Sequence, residues 1–209
     1  MKKIIELTCL RRNQYEIIPR IVPLKQADGK EYLGMCTGFS SCSSSGSYID
    51  FPGHIDITDN GVNAGTVNIL DYYRQKACLI RPELNSSGGI TAEALQKACQ
   101  GMPSDVKILI VDGLKLQEDI DPPSGSSYFE LETADVLARM NLTCLVADSY
   151  EKKNYEGVFY QLFRRGLPCV CAPTKLWLLP EKEIFTLSVI FLPVPGAMQT
   201  PCRLIAELD

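Results

Sequence analysis

Candidate chemistry in this 209-residue chain is concentrated in one run, Ser44-Ser45-Gly46-Ser47-Tyr48-Ile49-Asp50-Phe51-Pro52-Gly53-His54, which holds the only histidine. A histidine titrates near neutrality and can pass a proton in either direction, and a nearby carboxylate can orient it. Pro52 lacks an amide proton and pushes Phe51 out of helical geometry. Asp50 and His54 are therefore not neighbours on a helix face; they project from an extended segment and its turn, a shape that presents polar groups into a cleft. The plainer reading is a histidine that caps a turn or bonds a backbone carbonyl. Nine cysteines are the second unusual feature. No Cys-x-x-Cys occurs, so the short paired spacing of a zinc knuckle is missing. Cys78, Cys99, Cys144 and Cys202 have apolar neighbours and read as small buried residues.

The elements that must position these groups follow from periodicity and punctuation. Ile4 to Leu7 reads as a first strand, and Arg11 to Gly46 as irregular structure broken by Pro19, Pro23, Gly29, Gly34 and Gly38. Ser40 to Ser47 is almost all serine and glycine, either a flexible turn or a tightly packed loop. Ile69 to Gln75 suggests a short helix and Ala77 to Ile80 a buried strand. Thr91 can cap a helix that runs to Cys99 and stops at Gly101. Val106 to Val111 and Thr143 to Ala147 are continuous apolar strands, with a helix from Leu131 to Met140 between them. Val158, Phe159, Leu162 and Phe163 form the apolar face of another helix. Pro168 to Ala172, Phe185 to Leu192 and Cys202 to Ala206 supply the last strands. Cys169 and Cys171 alternate along one strand and face the same side. Asp121 to Ser127 reads as a polar surface turn. The sum is a single α/β domain over residues 1–209 with a mixed sheet.

Composition narrows the partners. With 45% hydrophobic and 22% charged residues the chain can bury a core, and its formal charge of −4 gives no general attraction to nucleic acid or anionic membranes. No apolar stretch reaches the ~18 residues of a membrane span, and the first residues lack an apolar signal-peptide core. The expectation is a soluble cytoplasmic protein with reduced thiols, binding neither membrane nor nucleic acid. No Gly-rich phosphate loop supports a nucleotide cofactor.

The run around His54 resembles the signature of the cyclase family, to which bacterial kynurenine formamidase and isatin hydrolase belong: His-x-Gly-Thr-His-x-Asp-x-Pro-x-His. Gly46, Asp50, Pro52 and His54 match it, and Ser47 replaces the threonine. The two leading histidines of the pattern fall on Ser44 and Tyr48. Ile4-Ile5-Glu6-Leu7-Thr8 looks like the family's opening strand, Ile90-Thr91-Ala92-Glu93 like its middle helix start, and Val106 to Val111 like its central strand. Leu176-Trp177-Leu178-Leu179-Pro180 aligns with a later family run, and counting back from it places Cys171 at the family's glutamate ligand and Phe159 at its histidine ligand.

What the resemblance implies is a swivelling β/β/α domain that assembles as a homodimer or homotetramer. In the family a zinc or manganese ion lowers the pKa of bound water toward ~7 and polarises an amide or lactam carbonyl, while the last motif histidine moves protons. Of the five equivalent ligand positions only Asp50 keeps its chemistry here, and one carboxylate does not hold zinc against water. No metal cofactor is therefore expected. The catalytic candidates are His54, Asp50 and Cys171. Tyr48 and Phe159, with Ser44 and Phe51, are the candidate ligand-binding residues of a pocket turned apolar, suited to a small organic molecule. Three readings stay open: a catalytically silent binding protein; a metal-free hydrolase or cyclase acting on an amide, lactam or lactone through His54 with Cys171 or Asp50; and a metal-dependent enzyme with replacement ligands, Cys171, Asp50 and His54 joined by Cys42 or Cys169.

Overall fold

A computed structural model describes residues 2–10, 15–118, 126–152 and 157–208. The chain begins with β1 (Lys3–Glu6), β2 (Tyr15–Lys25), β3 (Glu31–Ser41) and β4 (Tyr48–Asp50). It continues through β5 (Gln75–Ile80), β6 (Gly89–Ile90), α1 (Ala92–Cys99), β7 (Ile108–Val111), β8 (Tyr128–Phe129), α2 (Thr133–Ala138) and β9 (Cys144–Ala147). Helix α3 (Val158–Phe163), β10 (Cys169–Cys171), β11 (Phe185–Phe191) and β12 (Gln199–Leu208) complete it. The architecture is α/β with a mixed sheet, as the alternation of elements predicts. Of the polar turn read over 121–127, residues 121–125 lie outside the described residues.

The main sheet runs β1-β12-β11-β5-β7-β9-β10-β4, and β4 also pairs with β12, so the seven strands from β12 to β4 form a closed ring. β5, β7, β9 and β10 are parallel neighbours, and the joins at β11, β12 and β4 are antiparallel. One edge of β12 is taken by β11; along the other, β4 occupies residues 199–201 and β1 residues 205–208. Strand alternation then sorts every side chain. Ile49, Ala77, Leu79, Ile108, Ile110, Cys144, Val146, Val170, Leu187 and Leu204 point into the ring and fill it. Ile80, Leu109, Val111, Leu145, Ala147, Cys169 and Cys171 point outward, where Leu95 of α1, Leu137 of α2 and Leu162 of α3 cover them. At 108–111 and 144–147 both faces are buried, which explains the unbroken apolar runs.

Capping is where the sequence places it. Thr91 Oγ1 accepts from the Ala94 amide at 3.1 Å and starts α1, and Gly101 ends the turn beyond it at φ +77°. The helix read over 69–75 is only a 3₁₀ turn at Ile69–Asp71, because Gln75 already belongs to β5. One expectation is overturned. Most of 15–41 is not irregular but an antiparallel hairpin with two eleven-residue strands, paired from Tyr15↔Ser41 to Lys25↔Glu31. Pro19, Pro23, Gly34 and Gly38 lie within it, and its residues are nearly all exposed, so the alternation that marks a buried strand is missing. Residues 11–14 lie outside the described residues. In the Ser40–Ser47 stretch the packed alternative holds for 45–47, while 40–41 end β3 and 42–43 are exposed: Ser45 and Ser47 are buried, and Ser47 Oγ accepts from the Cys9 amide at 2.8 Å and donates to the Ala172 carbonyl at 2.7 Å. Among the described residues no helix is long and apolar enough to cross a membrane.

Candidate functional site

Antiparallel pairing of β4 with β10 sets Tyr48 opposite Cys171 and Asp50 opposite Cys169, all four on the outward face of the ring. Around this seam lies a cavity of about 370 Å³, lined by residues of the 44–48 segment, the carboxyl end of β9, the helix α3 side and the end of β10. Its walls include Ser44, Tyr48, Phe159 and Cys171, four positions that the sequence reading brings together from segments more than a hundred residues apart. The volume lies within the ~300–1,000 Å³ of small-molecule sites.

Asp50 lies one layer behind this wall, 2% exposed. Its Oδ1 accepts from Gln199 Nε2 at 2.5 Å, and its Oδ2 accepts from the Cys171 thiol at 3.9 Å. Burial raises the Asp50 carboxyl to about 6, opposed by the nearby charge of His54 and by the Gln199 amide. The Cys171 thiol is pushed well above its ordinary range, first by burial and then by the Asp50 charge, against a hydrogen bond from Tyr48. Cys171 is accordingly a protonated thiol that donates, not a thiolate nucleophile.

His54 ends a 3₁₀ turn over Pro52–His54, with its amide bonded to the Phe51 carbonyl at 2.9 Å. The residue is exposed, and the cavity lining does not include it. It acts on Asp50 through charge. Phe51 departs from the sequence reading. It shares the parity of Ile49 and is fully buried inside the ring, edge-on to Tyr72 and Phe191 at 6.5 and 5.7 Å, so it packs the core and not the cavity.

The cavity is also more polar than a plugged, apolar site. Phe159 stacks on Tyr150 at 4.8 Å and leans on Phe163 at 5.4 Å, giving a flat aromatic side. Beside it stand Asp148, Ser149 and Glu151, which the sequence reading missed. Asp148 follows the buried strand β9, and its two carboxylate oxygens accept the Gly113 and Leu114 amides at 3.2 and 2.8 Å. Burial raises the Asp148 carboxyl to about 7, with the neighbouring Asp112 adding to the rise. Glu151 accepts the Phe159 amide at 3.0 Å and so fastens α3 to the cavity rim. A carboxylate at the carboxyl end of a central strand was the available signal for Asp148, since ligands of α/β sheets gather there. Among the described residues no arginine, lysine or histidine lines the cavity.

The donor set does not fit a metal ion. Among the described residues no three His, Cys, Asp or Glu side chains are disposed to hold one. Asp50 has both oxygens engaged, Cys171 is protonated, Phe159 has no donor, and Cys42 makes its contact to Ser44, at 3.2 Å.

No sequence-family profile and no curated protein sequence matches the chain. Solved structures do. A predicted metal-dependent hydrolase from Bacillus stearothermophilus superposes with a TM-score of 0.69 at 15% identity, over 99% of this chain and 98% of that one. Isatin hydrolase A from Ralstonia solanacearum gives 0.69 at 16% identity, over 100% and 92%. An isatin hydrolase bound to the product analogue thioisatinate gives 0.70 at 14% identity, over 100% and 93%. The fold is thus shared along the whole length with these hydrolases and with a structure described as a novel cyclase.

Proposed function

We propose that the chain is a divergent member of the cyclase family, catalytically silent as a metallohydrolase, whose cavity binds a small planar organic molecule. One observation carries this reading. Ser44, Tyr48, Asp50, Phe159 and Cys171, the positions aligned with the family's ligands, converge on one cavity or its immediate backing, yet they supply a single carboxylate. The aromatic side formed by Tyr150 and Phe159 favours a flat ligand. Asp148, Glu151 and the Ser44 and Ser149 hydroxyls, with no cationic side chain among the described lining residues, favour a neutral or cationic ligand that donates hydrogen bonds over a carboxylate. The free state of all nine cysteines supports a reducing, cytoplasmic setting.

A second reading, metal-free acid–base turnover by His54 with Asp50, draws on the charge of His54 favouring the ionised Asp50. Its cysteine variant is disfavoured because Cys171 holds its proton. Thermal-shift titration with matched aromatic amides, amines and carboxylates tests the first reading. The amides or amines should stabilise the protein, the carboxylates should not, and Phe159→Ala should abolish the response. Stoichiometric zinc or manganese in the purified protein, with amide or lactam turnover lost on chelation, overturns it. Turnover without metal that His54→Ala removes favours the second reading.

A further inference from the structure

Two aspartates follow the adjacent parallel strands β7 and β9, Asp112 after the first and Asp148 after the second, and their surroundings differ. Asp112 is fully partnered. Arg81 Nε donates to its Oδ2 and the Lys115 amide to its Oδ1, each at 2.8 Å, while Arg81 is itself held by the Leu176 carbonyl at 3.0 Å. Asp148 has main-chain donors alone, the Gly113 and Leu114 amides, and among the described residues no cation pairs with it. Lys152, close in sequence, sets its ammonium over the Tyr128 ring at 5.0 Å. Each Asp148 oxygen, having accepted one amide, keeps a second lone pair, and the side chain lines the cavity.

From this contrast we infer that Asp148 is the charge anchor of the cavity and that the ligand is an aromatic cation of the amidine class, its planar N–H fork on the Asp148 carboxylate and its ring along Phe159. The inference rests on the planar-ligand reading above and narrows it from hydrogen-bond donors at large to a cation. A carboxylate taken out of water needs a counter-charge, and Asp112 shows how the fold supplies one where a side chain can reach. Asp148 opens on the cavity, so its counter-charge comes with the ligand. The amides of 113 and 114 fix the carboxylate in one orientation, and an amidinium offers two parallel N–H groups, one to each oxygen. The wall agrees, since the stacked rings of Phe159 and Tyr150 attract cations through their faces. Burial, with Asp112 beside it, raises the Asp148 carboxyl to about 7, so its charge develops through neutral pH. The other titratable groups around it are Asp112 beyond β7, tied to Arg81; Glu151, tied to the Phe159 amide, and Tyr150, both beyond β9; Cys171 of β10; Tyr48 of β4; and Asp50 one layer behind. Replacing Asp148 alone separates its titration from theirs.

Three probes of one shape, benzamidinium, benzamide and benzoate, vary the charge alone. In ligand-observed NMR titrations of the full chain at about pH 8, benzamidinium should bind about tenfold tighter than benzamide, and benzoate weakest. The benzamidinium affinity should fall about tenfold from about pH 8 to about pH 6, as Asp148 takes up its proton. Asp148→Asn, with unchanged circular dichroism, should bind benzamidinium and benzamide alike and flatten the pH profile. If the asparagine disturbs the two amide contacts and the variant unfolds, the ranking and the pH profile of the unmodified protein decide. Benzamide matching benzamidinium, an affinity that ignores pH, or a preference that survives Asp148→Asn overturns the anchor while the planar-ligand reading stands. Benzoate ranking first, or no binding by any of the three, overturns both.

Discussion

Replacing Asp50 by asparagine should stabilise the protein, and by an amount that depends on pH. The carboxyl titrates at about 6 in the fold against an ordinary 3.8, chiefly because burial penalises its charge. Below about pH 4 the group is protonated in both states and contributes nothing. Between about pH 4 and pH 6 the unfolded chain gives up a proton that the folded chain keeps, so stability falls as pH rises. Above about pH 6 the full cost stands, about 3 kcal/mol. The substituted side-chain amide would keep an oxygen for Gln199 Nε2 and carry no charge, so the cost disappears while that contact remains. Urea denaturation of both proteins across this range, plotted as a difference in stability, isolates the effect. Asp148, also raised, titrates in both proteins and cancels. The expected curve is near zero at the acid end and rises to about 3 kcal/mol in favour of Asp50→Asn near pH 8. A flat difference, or a variant less stable at the alkaline end, refutes the assignment of Asp50 as a buried, charge-averse carboxyl.

Thiol labelling provides a second check: exposed Cys36 and Cys42 should react in the native protein, Cys42 the faster because its bond to Ser44 lowers its thiol. Cys144, Cys169 and Cys171 should react only in denaturant, and a native adduct at Cys171 would refute its protonated, buried state. Arg81→Met should cost about 3 kcal/mol, because Asp112, its side chain 3% exposed, loses the 2.8 Å ion pair. Asp112→Asn in that background should restore part of the loss in urea melts; no recovery would mean that packing dominates. Thr91→Ala should lower stability by about 1 kcal/mol through the lost cap, and an unchanged midpoint would show that the helix needs no such bond.

The central strands and the three helices were legible because their residues are buried with a regular period, and α1 because Thr91 and Gly101 mark its ends. The β2–β3 hairpin was illegible for the converse reason. Neither face of it is buried in the chain, so its prolines and glycines read as loop punctuation. Tyr48, Phe159 and Cys171 could be grouped from motif spacing, but Asp148 gains its character from amides at 113 and 114, and Gln199 from its place opposite Asp50. Such tertiary partners leave no local trace. Phe51 was recoverable: it lies two residues after Ile49, and strand parity alone sends it inward.

A strand of three residues, β4, fastens β10 to β12 and turns an open sheet into a hoop. That clasp is made of main-chain bonds, which are blind to side-chain identity. The outward groups at 48 and 50 can therefore be rewritten without unbuckling the body, and a container of this kind is free to change what lines it.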